Sequence, residues 1–227
     1  MRRDELAKRI DHTLLGPTAS RAAVATLCEE AVRVGAASAC VNPCHAAIVR
    51  DAVKGTPVKV CIVIGFPHGM ATTAAKAAEA RDAITTGADE LDMVINVAAL
   101  KDSDHDFVRA DIAAVCDAAR AADRPVTVKV ILETALLTDD EKVAGAMLAK
   151  KAGADFVKTS TGFGPGGATV EDVALLRKTV GAEMGVKASG GIRDYETAAA
   201  MIDAGATRIG ASRTLAILDG ADAAGDG

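Results

Sequence analysis

Three ionisable side chains lie where a strand should be apolar. Asp92 sits inside Leu91-Asp92-Met93-Val94-Ile95-Asn96, Lys158 inside Phe156-Val157-Lys158-Thr159-Ser160, and Lys187 inside Val186-Lys187-Ala188-Ser189-Gly190-Gly191. A charge in such a run is costly unless it is paired or neutralised. A neutral amine is a nucleophile that can condense with a carbonyl to form an imine. Free lysine, with a pKa near 10.4, is neutral in about one molecule in 2,500 at pH 7, and a fall to about 7 makes about half of it neutral. A second cation next to the first, as Lys187 would be to Lys158, pushes in that direction. The competing reading is a charge near a strand end whose stem snorkels to water. It fits Lys59 and Lys129, which come early in their runs. For one lysine the two readings balance; Lys158 and Lys187 together with Asp92 favour chemistry.

The elements that must position these residues follow one repeated pattern. An Ala-rich helical stretch ends at a glycine and a β-branched run follows, as at Gly35, Gly87, Gly153 and Gly205. Glycine past a helix end accepts the left-handed conformation. Pro57 and Pro125 mark two further joints, since proline cannot continue a helix and is tolerated at a strand's first residue. Strands are expected near 10–14, 37–42, 58–65, 89–96, 126–133, 155–160, 185–189 and 207–211. Helices are expected near 18–34, 44–54, 72–86, 102–122, 138–152, 169–180, 194–204 and 213–218, with a small extra helix at 3–9. Alternating strands and helices predict an α/β fold with parallel strands. Eight near-continuous apolar strands fit a closed (β/α)8 TIM barrel, with an open doubly wound sheet as the alternative. The open sheet usually shows a glycine fingerprint after its first strand, and none is present. No composition shift marks a linker, so residues 1–218 form one predicted domain, and 219–227 an acidic tail that frays. Alternation turns Leu91, Met93 and Ile95 toward the helices and Glu90, Asp92 and Val94 toward the barrel axis.

Composition narrows the function. The 227 residues carry a formal charge of -5, four Phe, one Tyr and no Trp. Mild acidity and scarce aromatics argue against a nucleic-acid partner. No apolar run reaches the ~18 residues of a membrane helix, and the first residues form no apolar signal core. Five scattered cysteines without a CxxC pair fit reduced thiols in a cytoplasmic protein. His12, His45, His68 and His105 form no metal constellation, and adjacent Cys44 and His45 are poorly placed to share an ion with Cys40. No metal or cofactor is therefore expected.

Catalytic groups of such barrels lie at the C-terminal strand ends, and phosphate often binds after strands seven and eight. Here those loops are Ser189-Gly190-Gly191-Ile192-Arg193 and Gly210-Ala211-Ser212-Arg213, both running into helices. Ordinary turn glycines and a helix cap at Ser212 would look similar, and it is the pairing of the two loops that points to an anion.

Phe156-Val157-Lys158-Thr159-Ser160-Thr161-Gly162-Phe163 resembles the Schiff-base strand of the deoxyribose-phosphate aldolase family. Glu90-Leu91-Asp92-Met93-Val94, Val186-Lys187-Ala188-Ser189-Gly190-Gly191-Ile192-Arg193, Asp11-His12-Thr13-Leu14-Leu15, Cys40-Val41-Asn42-Pro43 and Val63-Ile64-Gly65-Phe66-Pro67-His68-Gly69 match as well, so the likeness runs from about residue 10 to about 215. It implies reversible cleavage of 2-deoxy-D-ribose 5-phosphate to D-glyceraldehyde 3-phosphate and acetaldehyde. Lys158 would form the imine. Asp92 and Lys187 would move protons, and Lys187 would also favour the neutral Lys158 amine. Gly190, Gly191, Gly210 and Ser212 would hold the phosphate. Thr161 and Gly162, with Asp11, Thr13 and Cys40, would line the sugar path.

Two departures stand out. Some members end in a tyrosine that reaches the site, whereas this chain ends Ala223-Ala224-Gly225-Asp226-Gly227 and its one Tyr is Tyr195. Some carry a lysine where Phe163 stands. Glu133, late in the fifth strand, is either a second carboxylate near the site or a structural partner of Lys158 or Lys187. The Asp102 to Asp106 run reads as a solvated loop and helix start. The alternatives are a different Schiff-base aldolase, a sugar-phosphate epimerase, and a barrel that binds sugar phosphates without catalysis. The partner is a small sugar phosphate; a homo-oligomer is compatible with the sequence, which does not reveal oligomeric state.

Overall fold

Each β-branched run becomes a strand and the Ala-rich stretches become the crossover helices. The structure, a computed structural model, describes residues 1–225. In chain order the elements are α1 (Arg3–Ala7), β1 (Ile10–Leu14), α2 (Arg21–Val34), β2 (Ser38–Val41), α3 (Ala46–Val53), β3 (Lys59–Ile64), α4 (Thr73–Thr86), β4 (Glu90–Val94), α5 (Val97–Lys101), α6 (His105–Arg120), β5 (Thr127–Ile131), α7 (Asp139–Ala152), β6 (Phe156–Lys158), α8 (Val170–Val180), β7 (Gly185–Ser189), α9 (Tyr195–Asp203), β8 (Arg208–Ala211) and α10 (Thr214–Gly225). The strands pair in parallel and in sequence order, β1 closing on β8, to make an eight-stranded barrel. No helix among the described residues is long and apolar enough to cross a membrane.

Local chemistry sets the helix ends. Ser20, Thr72, Thr169 and Asp194 accept from the third backbone N–H beyond them, and Thr138 with Glu141 closes a full capping box. Gly35 and Gly87 take the left-handed conformation directly after α2 and α4, at φ 70° and 117°. The main apolar core lies between the strands and the helix ring and includes Leu91, Met93, Val130, Val157 and Val186. With those side chains facing the helices, period-two alternation leaves Asp11, Glu90, Asp92, Lys129, Lys158 and Lys187 to the barrel axis.

The structure corrects the sequence reading at four places. Strand β6 is only Phe156–Lys158, so Thr159, Ser160 and Thr161 belong to the loop above it. The expected helix at 102–122 is preceded by the separate α5, the two divided at Ser103, whose φ of 60° breaks the helix, and α6 starts from the Asp104 cap. The last helix runs on to Gly225 instead of ending near 218, and Arg3 pairs with Asp219 and Asp222 on it. Residues 226–227, the end of the expected frayed tail, lie outside the described residues. Lys129, expected to snorkel to solvent, is fully buried in the barrel, whereas Lys59 is exposed.

Candidate active site

The barrel axis holds a continuous charge network. Register places Asp92 beside Lys129 on β4 and β5, and Lys158 beside Lys187 on β6 and β7. The Asp92 carboxylate gathers them. Its Oδ2 accepts from Lys158 Nζ and Lys187 Nζ, each at 2.7 Å, and its Oδ1 accepts from Lys129 Nζ at 2.9 Å and Cys61 Sγ at 3.3 Å. A carboxylate offers about four lone-pair sites, so Asp92 is saturated. A lower layer supports it. Asp11 accepts from Lys187 in a short contact, from Ser38 Oγ at 2.7 Å and from Arg208 Nη1 at 2.6 Å. Glu90 accepts from Lys129 in a short contact and from Arg208 Nη1 at 3.1 and 3.2 Å. Arg208 also lies over the Phe156 ring, 5.7 Å from its centroid.

Among the described residues, four cations (Lys129, Lys158, Lys187, Arg208) thus face three carboxylates (Asp11, Glu90, Asp92). Burial alone would raise the Asp92 carboxyl, but Lys129, Lys158 and Lys187 outweigh it and hold it well below the usual carboxylate range. Burial likewise opposes the charged form of Lys187, yet Asp11 and Asp92 raise it above an ordinary lysine. The resting site therefore holds a carboxylate at Asp92 and an ammonium at Lys187. Asp92 keeps two ammonium partners, Lys129 and Lys187, even when Lys158 is an uncharged amine.

One of the three lysines on Asp92 reaches open space. Lys158 lines a cavity of about 330 Å³ at the C-terminal strand ends, whereas Lys129 and Lys187 are fully enclosed below it. Thr13, Thr161, Gly162, Gly190, Gly191, Gly210 and Ser212 line the same cavity. Asp11 and Cys40, expected on the sugar path, do not: both are fully buried, Asp11 as a pillar of the lower layer and Cys40 beside Cys61. Glu133 is a second carboxylate beside the site, and its partner is the cavity-lining Thr161 in place of Lys158 or Lys187.

Sequence reasoning missed several lining residues. Phe163 packs edge-on against Phe66 at 5.3 Å between ring centroids, and with Leu14 and Leu15 it makes an apolar flank. Arg193, in the loop after the seventh strand, lines the cavity too, whereas Arg213 does not. The network partners Lys129, Glu90 and Arg208 were legible only in part: alternation turned Glu90 inward, and Lys129 stands in register with Asp92 one strand over. A larger depression of about 740 Å³, around Arg2, Arg33 and Asp219, holds surface charges and no strand end.

Cation-binding and carbonyl chemistry can be weighed on the same atoms. Ligand atoms of Cys40, Cys61 and Asp92 lie within 4.8 Å of one another, as do those of Asp11, Cys61 and Glu90. However, Lys129 Nζ already stands 3.5 Å from Cys61 Sγ and contacts Asp92 and Glu90. A divalent ion would meet this ammonium at each site. Burial, and after it Cys40, raises the Cys61 thiol well above its usual range, which further disfavours a thiolate ligand. What the arrangement suits is a buried amine held by a carboxylate, facing a pocket with an apolar flank and a glycine-lined end. An epimerase would need two carboxylates or a metal facing its substrate, and here the axial carboxylates are engaged by cations.

Comparison with known proteins agrees with this geometry. The family model described as DeoC/LacD family aldolase matches residues 6–221. The deoxyribose-phosphate aldolase of Clostridium perfringens strain 13 is 57% identical over 220 residues, covering 97% of each chain. That of Streptococcus sanguinis is 59% identical over 222 residues, covering 98% of this chain and 99% of the relative. The structure of deoxyribose phosphate aldolase from Aeropyrum pernix, described as a unique tetramer, superposes with a TM-score of 0.89 at 35% identity, covering 96% of this chain and 91% of that one.

Proposed function

The chain belongs to the DeoC/LacD family of aldolases and cleaves deoxyribose phosphate by a reversible aldol reaction, and we propose that Lys158 is the amine that carries this chemistry as an imine. One observation supports the choice above the rest: of the three lysines on Asp92, Lys158 is the one that lines the cavity. The Lys158 amine adds to the C1 aldehyde of open-chain 2-deoxy-D-ribose 5-phosphate, and loss of water gives the protonated imine. The C3 hydroxyl loses its proton, the C2–C3 bond breaks, and its electron pair moves into the iminium to leave an enamine. D-Glyceraldehyde 3-phosphate departs. Protonation of the enamine carbon and hydrolysis of the resulting imine release acetaldehyde and restore the amine.

Asp92 and Lys187 are assigned the electrostatic and proton-moving parts. In the free site Asp92 Oδ2 is filled by two lysine N–H donors, from Lys158 and Lys187. Imine formation removes hydrogens from the Lys158 nitrogen, so that oxygen regains an acceptor site. It then takes up the C3 hydroxyl proton directly or through water. Lys187, held charged, stabilises the carboxylate and disfavours a second ammonium beside it. The phosphate is placed at Gly190, Gly191, Gly210 and Ser212, near the start of α10. Backbone N–H groups at a helix start favour an anion there, and Arg193 supplies the cation. Thr13, Thr161 and Gly162 shape the wall. The tetrameric Aeropyrum relative supports assembly of this chain into a homo-oligomer.

Incubation with acetaldehyde and borohydride tests the assignment. An ethyl group is expected on Lys158, mapped by peptide mass. Trapping at Lys187 would overturn the role given to Lys158, and no trapping at all would favour a barrel that only binds the sugar.

A further inference from the structure

Past the end of β5 the chain turns sharply. Glu133 takes the left-handed conformation, with φ 58° and ψ 61°. Side chains other than glycine seldom adopt it, and a fold keeps it only where neighbours enforce it. Glu133 is buried, and among the described residues its carboxylate is hydrogen-bonded by one residue, Thr161. The Thr161 N–H is shared between both oxygens at 3.4 Å each, and the Thr161 hydroxyl donates to Oε2 in a short hydrogen bond. The hydroxyl oxygen in turn accepts from the Phe163 N–H at 3.0 Å. A hydroxyl has one proton to give, so Thr161 has none left for a substrate in the cavity it lines.

The same carboxylate sets the path of the loop above β6. A β-carbon at Gly164 would lie 2.9 Å from Glu133 Cδ, so glycine there lets the chain pass directly over the carboxylate. Farther along, the Ala168 N–H donates to Gly190 O at 3.0 Å. A β-carbon at Gly167 would stand 2.2 Å from that oxygen, and one at Gly190 would stand 3.0 Å from Gly167 Cα. The segment 161–168 is therefore fastened at one end to Glu133 and at the other to the backbone of Gly190, which lines the glycine end of the cavity.

We propose that Glu133 is a positioning residue for phosphate recognition. By holding Thr161 it fixes the segment 161–168 and, through it, Gly190; it takes no part in the imine chemistry. The inference rests on placing the phosphate at Gly190, Gly191, Gly210 and Ser212.

Three variants test it. Glu133→Gln keeps the shape and one acceptor, Glu133→Gly removes the carboxylate while suiting the positive φ, and Thr161→Val removes the hydroxyl at nearly constant shape. For each, kcat and KM are measured on deoxyribose 5-phosphate and on deoxyribose, together with the pH profile and borohydride trapping by acetaldehyde. Glu133→Gly is expected to raise KM for the phosphorylated sugar about tenfold, and Glu133→Gln less, with kcat and efficiency on deoxyribose kept within about threefold. The pH limbs and the trapping stay as in the wild type. Thr161→Val raises the same KM, and adds little when combined with Glu133→Gln, because the two share one interaction. Equal losses on both sugars, a moved pH limb, or lost trapping would overturn the role of Glu133. A wild type that cleaves both sugars equally well would instead overturn the phosphate placement, before any variant is made. Should Glu133→Gly not fold, the Glu133→Gln variant carries the same comparison.

Discussion

At the scale of the residue, the site turns on how many charges crowd one carboxylate. Lys158 and Lys187 each lie 2.7 Å from the same Asp92 oxygen, so removing one changes what the other feels. Lys187→Met deletes a positive charge that disfavours a second ammonium beside it. The acidic limb of the kcat/KM profile is expected to move to higher pH, with activity near pH 7 falling about a hundredfold or more and recovering in part as the pH rises. Recovery stops short of the wild type if Lys187 also carries a proton. A limb that stays in place would show that Lys187 does not tune the nucleophile. Reading the sequence located Asp92, Lys158 and Lys187 because each interrupts an apolar run. It could not rank the two lysines by access, since that depends on which one the cavity reaches.

At the scale of the element, alternation along each strand was legible but the height of one strand against the next was not. Lys129 looked like a strand-start charge when counted from Pro125, yet the barrel's stagger sets it level with Asp92. Ser103, with its φ of 60°, gave no sequence signal that α5 and α6 are separate. Asp11 matched a motif, but the match could not say that it points below the cavity. Lys76 escaped notice altogether, because one lysine in an Ala-rich helix reads as a solvated face. It is fully buried, donating to Asp111 Oδ2 at 2.5 Å and to Val94 O at 3.0 Å, and so ties α4 to α6 and to the end of β4. Breaking a buried pair strands a charge, at a cost of about 3–5 kcal/mol. Lys76→Ala should therefore lower the unfolding free energy read from urea titration by an amount of that order, and Lys76→Met with Asp111→Leu should regain most of it. Imine trapping at Lys158 stays intact in both, provided the assay is run below their unfolding range. If the double variant is no more stable than Lys76→Ala, the pair is not what the single variant lost.

At the scale of the whole molecule, the charge network links six of the eight strands, β1, β4, β5, β6, β7 and β8, across the barrel axis. It ties folding stability to pH in two directions. Burial disfavours charged Asp11 and Asp92, but their cations hold both below the usual range. The folded state thus binds fewer protons than the unfolded one once unfolded aspartate, with a pKa near 3.9, begins to protonate. This contribution is complete above that value and is lost as the pH falls through the depressed folded values. Lys129 and Lys187 behave in the opposite sense. Burial lowers them, yet their carboxylates raise both above an ordinary lysine, so their contribution is complete below about 10.4 and is lost as the pH rises through the raised values. A plateau of stability is expected between about pH 5 and pH 9.5, with losses on both sides. Asp92→Asn should lie below the wild type on that plateau by about 3–5 kcal/mol, since it leaves the Lys129 and Lys187 ammonium groups without their common carboxylate. The gap should narrow below about pH 4, where Asp92 of the unfolded wild type begins to take up a proton that the folded state does not bind. Urea unfolding of both proteins from pH 3 to pH 11 makes the comparison. A gap that stays constant into the acid range would mean that the Asp92 charge is not what holds the barrel axis together.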